Sequence, residues 1–78
     1  MTHQYSKQAE KFLDKQSDKT FDRIVAAIDK LPEGDVVKLS GYKELYRLRV
    51  GDFRILYKIM CGEILIDKID NRGQAYKN

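Results

Sequence analysis

The sequence predicts an α+β fold in which two N-terminal helices pack on one face of a small, mainly antiparallel sheet of three to four strands. Apolar residues recur at helical spacing up to residue 31, and from Tyr46 onward they alternate with polar residues at the spacing of a β-strand. The pair Gly51-Asp52 separates two of these alternating runs, as the loop of a β-hairpin does. Because a chain of 78 residues has only a thin core, the helices are expected to cover one face of the sheet.

Both helices have recognisable starting residues. Ser6 is the expected N-cap of the first helix and Ser17 or Asp18 that of the second, because these side chains can accept a hydrogen bond from the first turn. Pro32 and Gly34 are expected to end the second helix. The apolar residues at helical spacing are Ala9, Phe12 and Leu13 in the first helix, and Phe21, Ile24, Val25, Ile28 and Leu31 in the second.

The outer sides of the two helices share a regular charge pattern. Each lysine is followed three residues later by an acid, a spacing that supports a solvated helix surface. A nucleic-acid-binding surface would not interleave acids so evenly, so this pattern indicates an ordinary solvent-facing surface. The basic members are Lys7, Lys11, Lys15, Lys19 and Arg23, and the acidic members are Glu10, Asp14, Asp18 and Asp22.

The second half of the chain predicts a three-stranded meander. Residues 46–50 and 53–60 form its first hairpin, and Cys61-Gly62 is a second two-residue loop. Residues 64–69 follow as a mostly apolar strand, which is expected to be covered on both faces. A short first strand is expected at residues 3–5, in front of the helices.

The register of the first hairpin follows from its two-residue loop. The predicted cross-strand pairs are Val50 with Phe53, Arg49 with Arg54, Leu48 with Ile55 and Tyr46 with Tyr57. One face is then apolar, whereas the other carries Arg49 directly across from Arg54 with Arg47 diagonal to it. Asp67 is the one acid expected on that face, opposite Leu56. Like charges in register destabilise a hairpin, so we interpret the cluster as a polyanion-binding site; three solvated arginines are the alternative.

The C-terminal segment adds two polar groups of the same chemical interest. Arg72 follows the last strand, and Tyr76 lies four residues further on. A tyrosine beside cations can stack on a base, donate a hydrogen bond or transfer a proton if its pKa is lowered. The alternative is that Tyr76 is a partly buried terminal aromatic residue.

Charge and composition restrict the classes of function. Residues 1–35 contain six Lys and Arg against seven Asp and Glu, whereas residues 36–78 contain nine against five, so an anionic partner is expected at the second half. One cysteine, Cys61, and one histidine, His3, form neither an internal disulfide nor a metal site. No apolar run spans a membrane and the N-terminus is not a signal peptide, so a single cytoplasmic domain over residues 1–78 is expected.

Two segments resemble a known family. Residues 39–59, LSGYKELYRLRVGDFRILYKI, are similar to the core signature of RelE/ParE-superfamily toxins. That signature has a Leu-x-Gly element, an aromatic residue, alternating basic residues, Gly-Asp, an aromatic residue, Arg and an apolar strand. Residues 71–77, NRGQAYK, resemble the closing Arg…Tyr segment of the family. With the two helices, the resemblance covers nearly the whole chain and implies a RelE-like fold.

The resemblance also implies a function. It suggests the toxin of a type II toxin–antitoxin system, a ribosome-dependent, metal-independent mRNA endonuclease that works in the ribosomal A site, needs no cofactor and is inhibited by an acidic antitoxin. The RNA 2′-hydroxyl is the nucleophile, and arginines stabilise charge on the scissile phosphate. The residues implied as catalytic are Arg49, Arg54, Arg72 and Tyr76, and those implied as substrate-binding are Arg47, Lys43 and Lys58.

The chain departs from the family pattern in its proton-transfer residues. The only histidine, His3, lies outside the motif, and Arg47 and Arg49 stand where the best-known branch has lysines. Arginine stays protonated and is a poor general base, so Tyr76 or a group on the ribosome is left for that role. Two alternatives to the nuclease stay open: a ParE-like toxin that poisons DNA gyrase and cleaves nothing, and a non-catalytic RNA- or antitoxin-binding member.

Overall fold

The structure is a computed structural model that describes residues 2–39 and 45–71. The predicted α+β class with two helices is confirmed, but within the described residues the sheet has five strands and not three to four, in the order β1-β5-β4-β3-β2. The elements are β1 (Thr2–Tyr5), α1 (Lys7–Asp14), α2 (Asp18–Asp29), β2 (Asp35–Lys38), β3 (Leu45–Val50), β4 (Phe53–Met60) and β5 (Glu63–Asn71).

The two strands outside the meander, β1 and β2, lie at the edges of the sheet. The short first strand expected at residues 3–5 is β1, which pairs in parallel with β5, so the sheet is mixed. No strand was predicted for residues 35–38, yet β2 pairs antiparallel with β3. Its four residues, DVVK, are too few to show an alternating pattern, and only their contact with β3 makes them a strand. The meander β3-β4-β5 forms the centre of the sheet, as predicted.

The helix starts agree with the sequence prediction, and one end differs. Ser6 caps α1 by accepting a hydrogen bond from Ala9 N, and Ser17 caps α2 by accepting one from Thr20 N. The helix α2 ends at Asp29, so Leu31 lies beyond it and is not part of its apolar face. The charged residues of the predicted helix pattern are all exposed, which confirms a solvent-facing surface.

The core lies between the helices and one face of the sheet. Side chains at alternate positions of the strands point toward the helices. The described residues that are buried are all hydrophobic. The buried side chains are Ala9, Leu13, Ile24 and Ile28 from the helices, and Leu48, Val50, Ile55, Tyr57, Ile64, Ile66 and Ile69 from the sheet. Tyr57 stacks on Tyr46 with a ring separation of 5.4 Å, and Phe12 packs edge-on against Phe53 at 5.9 Å. The other face of the sheet, which no described helix covers, is called the open face below.

A bulge in β5 changes which residues reach the open face. Tyr57 pairs with Ile66 and Leu56 pairs with Lys68, so one extra residue, Asp67, is accommodated between them. The expectation that Asp67 lies opposite Leu56 is therefore wrong. The expectation that β5 is covered on both faces is also wrong, because Asp67 and Lys68 are exposed.

Candidate nucleic-acid interface

The open face of the sheet carries three of the arginines that the sequence singles out, Arg47, Arg49 and Arg54. Every predicted pair of the first hairpin is present, including Arg49 directly opposite Arg54. Gly51 adopts φ +58°, the left-handed conformation that a two-residue hairpin loop needs at its first position. Leu48 and Ile55 are buried on the helix side, so the next residues along the strands, Arg49 and Arg54, point to the opposite face.

Four charged residues form one line across the sheet at this level. Asp35 of β2 pairs with Arg49 of β3, Arg49 with Arg54 of β4, and Arg54 with Asp70 of β5. Directly opposite residues of neighbouring strands share a face, so an acid, two arginines and an acid follow one another across four strands. This line of residues is called the charged row. Its two outer carboxylates offset the repulsion between the two central guanidinium groups.

Arg54 and Asp70 form the tightest contact of the charged row. Arg54 Nε donates to Asp70 Oδ1 at 3.2 Å, and Nη2 donates to Oδ2 at 2.9 Å. Such a bidentate pair fixes the plane of the guanidinium as well as its position. Both side chains are partly accessible, so the pair is worth on the order of 1 kcal/mol and a competing anion can reach it.

The two arginines of β3 are held less completely. Arg47 Nη2 lies 3.6 Å from Asp35 Oδ1, and the Arg47 side chain is only 15% exposed. Among the described residues, Arg47 Nε and Arg49 Nε are buried without a hydrogen-bond partner. A buried donor without a partner is unfavourable, and an oxygen of a bound anion would satisfy it once the side chain turns toward the ligand.

These contacts define what the charged row can do chemically. Arginine keeps its charge at any physiological pH and presents flat, paired donors that match the oxygens of a phosphate. Arg49 and Arg54 together can hold one phosphate from two sides and stabilise charge that develops on it. The row supplies electrostatic stabilisation, and both of its carboxylates lie opposite arginines on the neighbouring strands.

The remaining predicted site residues fall into two groups. Lys58 lies on the open face of β4, paired with Leu45 and Leu65, four residues from Arg54 and thus about 13 Å along the strand. It is placed for contact with a neighbouring part of a long ligand and not with the phosphate at Arg54. Lys43, Arg72 and Tyr76 lie outside the described residues.

The histidine and the core tyrosines belong to the other side of the sheet. His3 Nδ1 lies 3.9 Å from Asp29 of α2, so this histidine faces the helices. Tyr57 is buried on the same side, and burial, with a smaller effect of Tyr46, raises its pKa above the usual 10.0. Burial and the charge of Asp29 likewise raise the pKa of Tyr5. None of these groups serves as a base at the open face.

The sequence prediction missed three residues of this region. Asp35 was missed with its strand, and Asp70 was missed because the bulge shifts it opposite Arg54. The bulge had a signal, since Ile64, Ile66 and Ile69 can all face the core only if one residue is inserted before Ile69. The third, Arg23, lies against the β3–β4 turn, where a Cβ atom built on Gly51 would be 2.7 Å from its Nη2.

Among residues 2–39 and 45–71, no group of three or more His, Cys, Asp or Glu side chains could hold a metal ion. No helix in the same residues is long and apolar enough to cross a membrane.

Comparison with known proteins places the chain in a family. Residues 3–76 match the profile of the family described as the ParE toxin of the type II toxin–antitoxin system parDE. The chain is also 44% identical over 46 residues to the RelE1 toxin candidate of Methanocaldococcus jannaschii. That match covers 56% of this chain and 51% of the relative, so the chain matches about half the length of this curated protein.

Solved structures share the fold over a larger part of the chain. A RelE–RelB complex from Pyrococcus horikoshii contains a chain that is 28% identical, with a TM-score of 0.77 and coverage of 94% of this chain and 96% of that one. The RelB–RelE antitoxin–toxin complex from Methanococcus jannaschii gives a TM-score of 0.77 at 24% identity, with 94% of both chains covered. With the profile spanning all but the ends of the sequence, this chain belongs to the ParE toxin family of type II toxin–antitoxin systems, within the RelE/ParE superfamily.

Proposed function

We propose that the chain is a RelE-like toxin that cleaves mRNA, with the scissile phosphate bound by Arg49 and Arg54 of the charged row. The observation that carries this proposal is the direct cross-strand pairing of these two arginines on an uncovered sheet face. The buried Arg49 Nε without a described partner adds to it, because a phosphate oxygen would complete its hydrogen bonding.

The proposed reaction needs three contributions. The RNA 2′-hydroxyl transfers its proton to a base and attacks the neighbouring phosphorus, whose oxygens gain charge. The P–O5′ bond breaks, which leaves a 2′,3′-cyclic phosphate on one product and a 5′-oxygen that takes up a proton on the other. Arg49, Arg54 and Arg72 stabilise the added charge, a term commonly worth about 3 to 4 kcal/mol per well-placed donor. Arg47 and Lys58, together with Lys43, bind the flanking backbone. This reaction needs no metal, because guanidinium groups supply the charge stabilisation.

Proton transfer is assigned to Tyr76. His3 faces the helices, and the carboxylates of the charged row are held by arginines. Replacing Tyr76 by phenylalanine is expected to slow single-turnover cleavage on ribosomes more than it weakens ribosome binding. If both fall together, Tyr76 positions the substrate and a ribosomal group transfers the proton.

Asp70 is part of the proposed site as well. In the free protein it holds the Arg54 guanidinium in one plane, so that this side chain is ordered before RNA arrives. The same carboxylate repels the phosphate, so Asp70 lowers the affinity for RNA while it favours the correct geometry.

An acidic antitoxin is the proposed protein partner. The related solved structures contain a RelB antitoxin bound to RelE. On this chain the open face combines basic side chains with the apolar residues Val37, Leu45, Leu56, Met60 and Leu65, and Val37 and Met60 are 46% and 54% exposed. An amphipathic acidic segment would cover both kinds of side chain and block the charged row, in the cytoplasm where mRNA is translated.

The decisive experiment is the mapping of transcript ends after brief expression without antitoxin. We expect cut transcripts and arrested translation for the wild-type chain, and intact transcripts with normal growth for Arg54→Ala and Arg72→Ala. The matched control is Lys11→Ala, which removes a charge from an exposed position of α1 and should stay toxic. A fully toxic Arg54→Ala protein with wild-type cleavage would refute the phosphate-binding role.

The second candidate is a gyrase poison, which the ParE description of the matching family profile favours. Expression would then stop replication while transcripts stay intact. Arg54→Ala would also keep its effect unless the arginines bind gyrase. The same mapping experiment, read together with DNA synthesis, therefore separates the two candidates.

A further inference from the structure

We infer that a groove between α2 and the exposed end of β3 binds one nucleotide of the RNA strand next to the phosphate held by the charged row. The inference rests on the proposed RNA-cleaving function and adds a second contact region to it. The groove has a volume of about 620 Å³, and its floor is formed by Leu48 and Val50. Ala27 forms part of its wall, and three basic residues, Arg23, Lys30 and Arg49, also line it.

The groove exists because β2 is shorter than β3. Pairing between these strands ends at Asp35 opposite Arg49, so Val50 has no partner in β2. The connection from α2 to β2 passes this open end and includes Gly34 with φ +122°. A Cβ atom at Gly34 would lie 3.1 Å from Leu48 Cδ1, so a side chain there would crowd the groove floor.

Arg23 differs from the other charged residues of the helix pattern, because it lines this groove. Its guanidinium lies over the β3–β4 turn, because a Cβ built on Gly51 would be 2.7 Å from Arg23 Nη2. Lys30, the C-cap of α2, lines the same groove. The sequence pattern suggested only a solvent-facing role for Arg23, since nothing local reveals its contact with the hairpin turn.

The chemistry of the groove fits a nucleotide. The apolar floor and a guanidinium plane can take the flat face of a base, and Arg23 and Lys30 can bind its phosphate. Two carboxylates also line the groove, Glu33 and Asp35, and of these Asp35 lies 3.6 Å from Arg47 and is partly neutralised by it. The three cations therefore exceed the acids, and a volume of this size is typical of small-ligand sites.

The groove is continuous with the charged row through one residue. Arg49 belongs to the charged row and also lines the groove, so the two regions adjoin at this residue. An RNA strand with one phosphate at Arg49 and Arg54 can therefore continue around the short edge at β2 into the groove. A separate small anion would not need this continuity, which is why a nucleotide of the same strand is the assigned ligand.

The test compares binding of two non-cleavable RNAs that carry 2′-O-methyl groups, a dinucleotide and a hexanucleotide, by fluorescence anisotropy at several salt concentrations. The variants are Arg23→Gln and Lys30→Gln. The control is Lys11→Gln, which also removes one positive charge but from an exposed position of α1. We expect each groove variant to weaken hexanucleotide binding about fivefold at 0.1 M salt and to reduce the salt slope by about 0.7, the effect of one lost phosphate contact. Dinucleotide binding and the control should be unchanged.

A second readout does not depend on affinity. A hexanucleotide with 4-thiouridine at successive positions should form photo-cross-links to the tryptic peptides of residues 24–30 or 31–38 when the label is one or two nucleotides from the cleavage position. Circular dichroism melting of each variant excludes a loss of folding as the cause.

Two outcomes would overturn the groove assignment. If Arg23→Gln and Lys30→Gln bind the hexanucleotide as Lys11→Gln does while Arg54→Gln binds it weakly, the groove is not a nucleotide site and the proposed cleavage function stands. The groove inference is also refuted if the wild-type chain binds neither the dinucleotide nor the hexanucleotide. Cleavage on the ribosome is judged separately, by the mapping of transcript ends, so the two proposals fail in distinguishable ways.

Discussion

Arg54 and Asp70 are joined by two parallel hydrogen bonds of 3.2 and 2.9 Å across neighbouring strands of the open face. This pair makes an arginine cluster compatible with a stable sheet. Arg49 lies on one side of Arg54 and repels it, and the carboxylate of Asp70 on the other side offsets that repulsion. It also places a carboxylate where a phosphate would bind. Stability and substrate binding therefore make opposite demands on Asp70.

Asp70→Asn is expected to separate these two demands. Loss of the ion pair should lower the free energy of unfolding by about 1 kcal/mol or less, since the pair is partly exposed. Affinity for non-cleavable RNA should rise, because a repelling charge is removed, whereas the single-turnover cleavage rate at saturating RNA should fall because Arg54 loses its fixed orientation. The control is Asp67→Asn, an exposed carboxylate at the bulge. Equal effects of both substitutions would show that only net charge matters.

The two helix caps provide a comparison of local and tertiary hydrogen bonds. Ser6 Oγ accepts from Ala9 N at 3.1 Å and donates to the Asp67 carbonyl oxygen at 2.7 Å, so it ties α1 to the bulge of β5. Ser17 Oγ bonds only within its own turn, to Thr20. Ser17→Ala should cost about 1 kcal/mol in urea unfolding and Ser6→Ala about 2 kcal/mol, because a second hydrogen bond is lost. Equal losses would mean that the link to β5 contributes nothing.

The hairpin glycines allow backbone strain to be separated from contact with Arg23. Gly51 and Gly62 have φ of +58° and +77°, and a Cβ at Gly62 would meet no atom within 4 Å. Gly62→Ala should therefore report the left-handed conformation alone, at about 1 to 2 kcal/mol of unfolding free energy. Gly51→Ala should cost slightly more, because Arg23 must move. A Gly51→Ala loss that disappears in an Arg23→Ala background would show that the contact, and not φ, dominates.

Stability at high pH should depend on Tyr57. Burial raises its pKa in the folded state above the usual 10.0, so between these two values the unfolded chain has lost the phenolic proton and the folded chain has kept it. The stabilisation of the folded state by Tyr57 is fully present below pH 10 and is lost as the pH rises through the pKa of Tyr57 in the folded state. Urea unfolding from pH 8 to 11.5 should show this decline, and Tyr57→Phe should reduce it. A decline of unchanged steepness in Tyr57→Phe would assign it to other groups.

Most of the local structure could be predicted because it depends on neighbours in the sequence. Helix caps at Ser6 and Ser17, the hairpin at Gly51 and the pairing of Arg49 with Arg54 all follow from side-chain periodicity and turn chemistry within a few residues. These features suffice to place two arginines together on one face. The similarity to the toxin family rests on the segment that contains this hairpin, residues 39–59, together with residues 71–77.

The partners of those arginines depend on pairing between distant segments. Asp35 reaches Arg49 only after β2 joins the sheet edge, and Asp70 reaches Arg54 only through the bulge in β5. Arg23 contacts the hairpin turn only when α2 packs on the sheet. The sequence alone therefore determined the two helices, the central meander and the cationic face. The tertiary structure decided the edge strand β2 and which charges are neutralised, because burial of the apolar face selects one packing and register among several that local patterns allow.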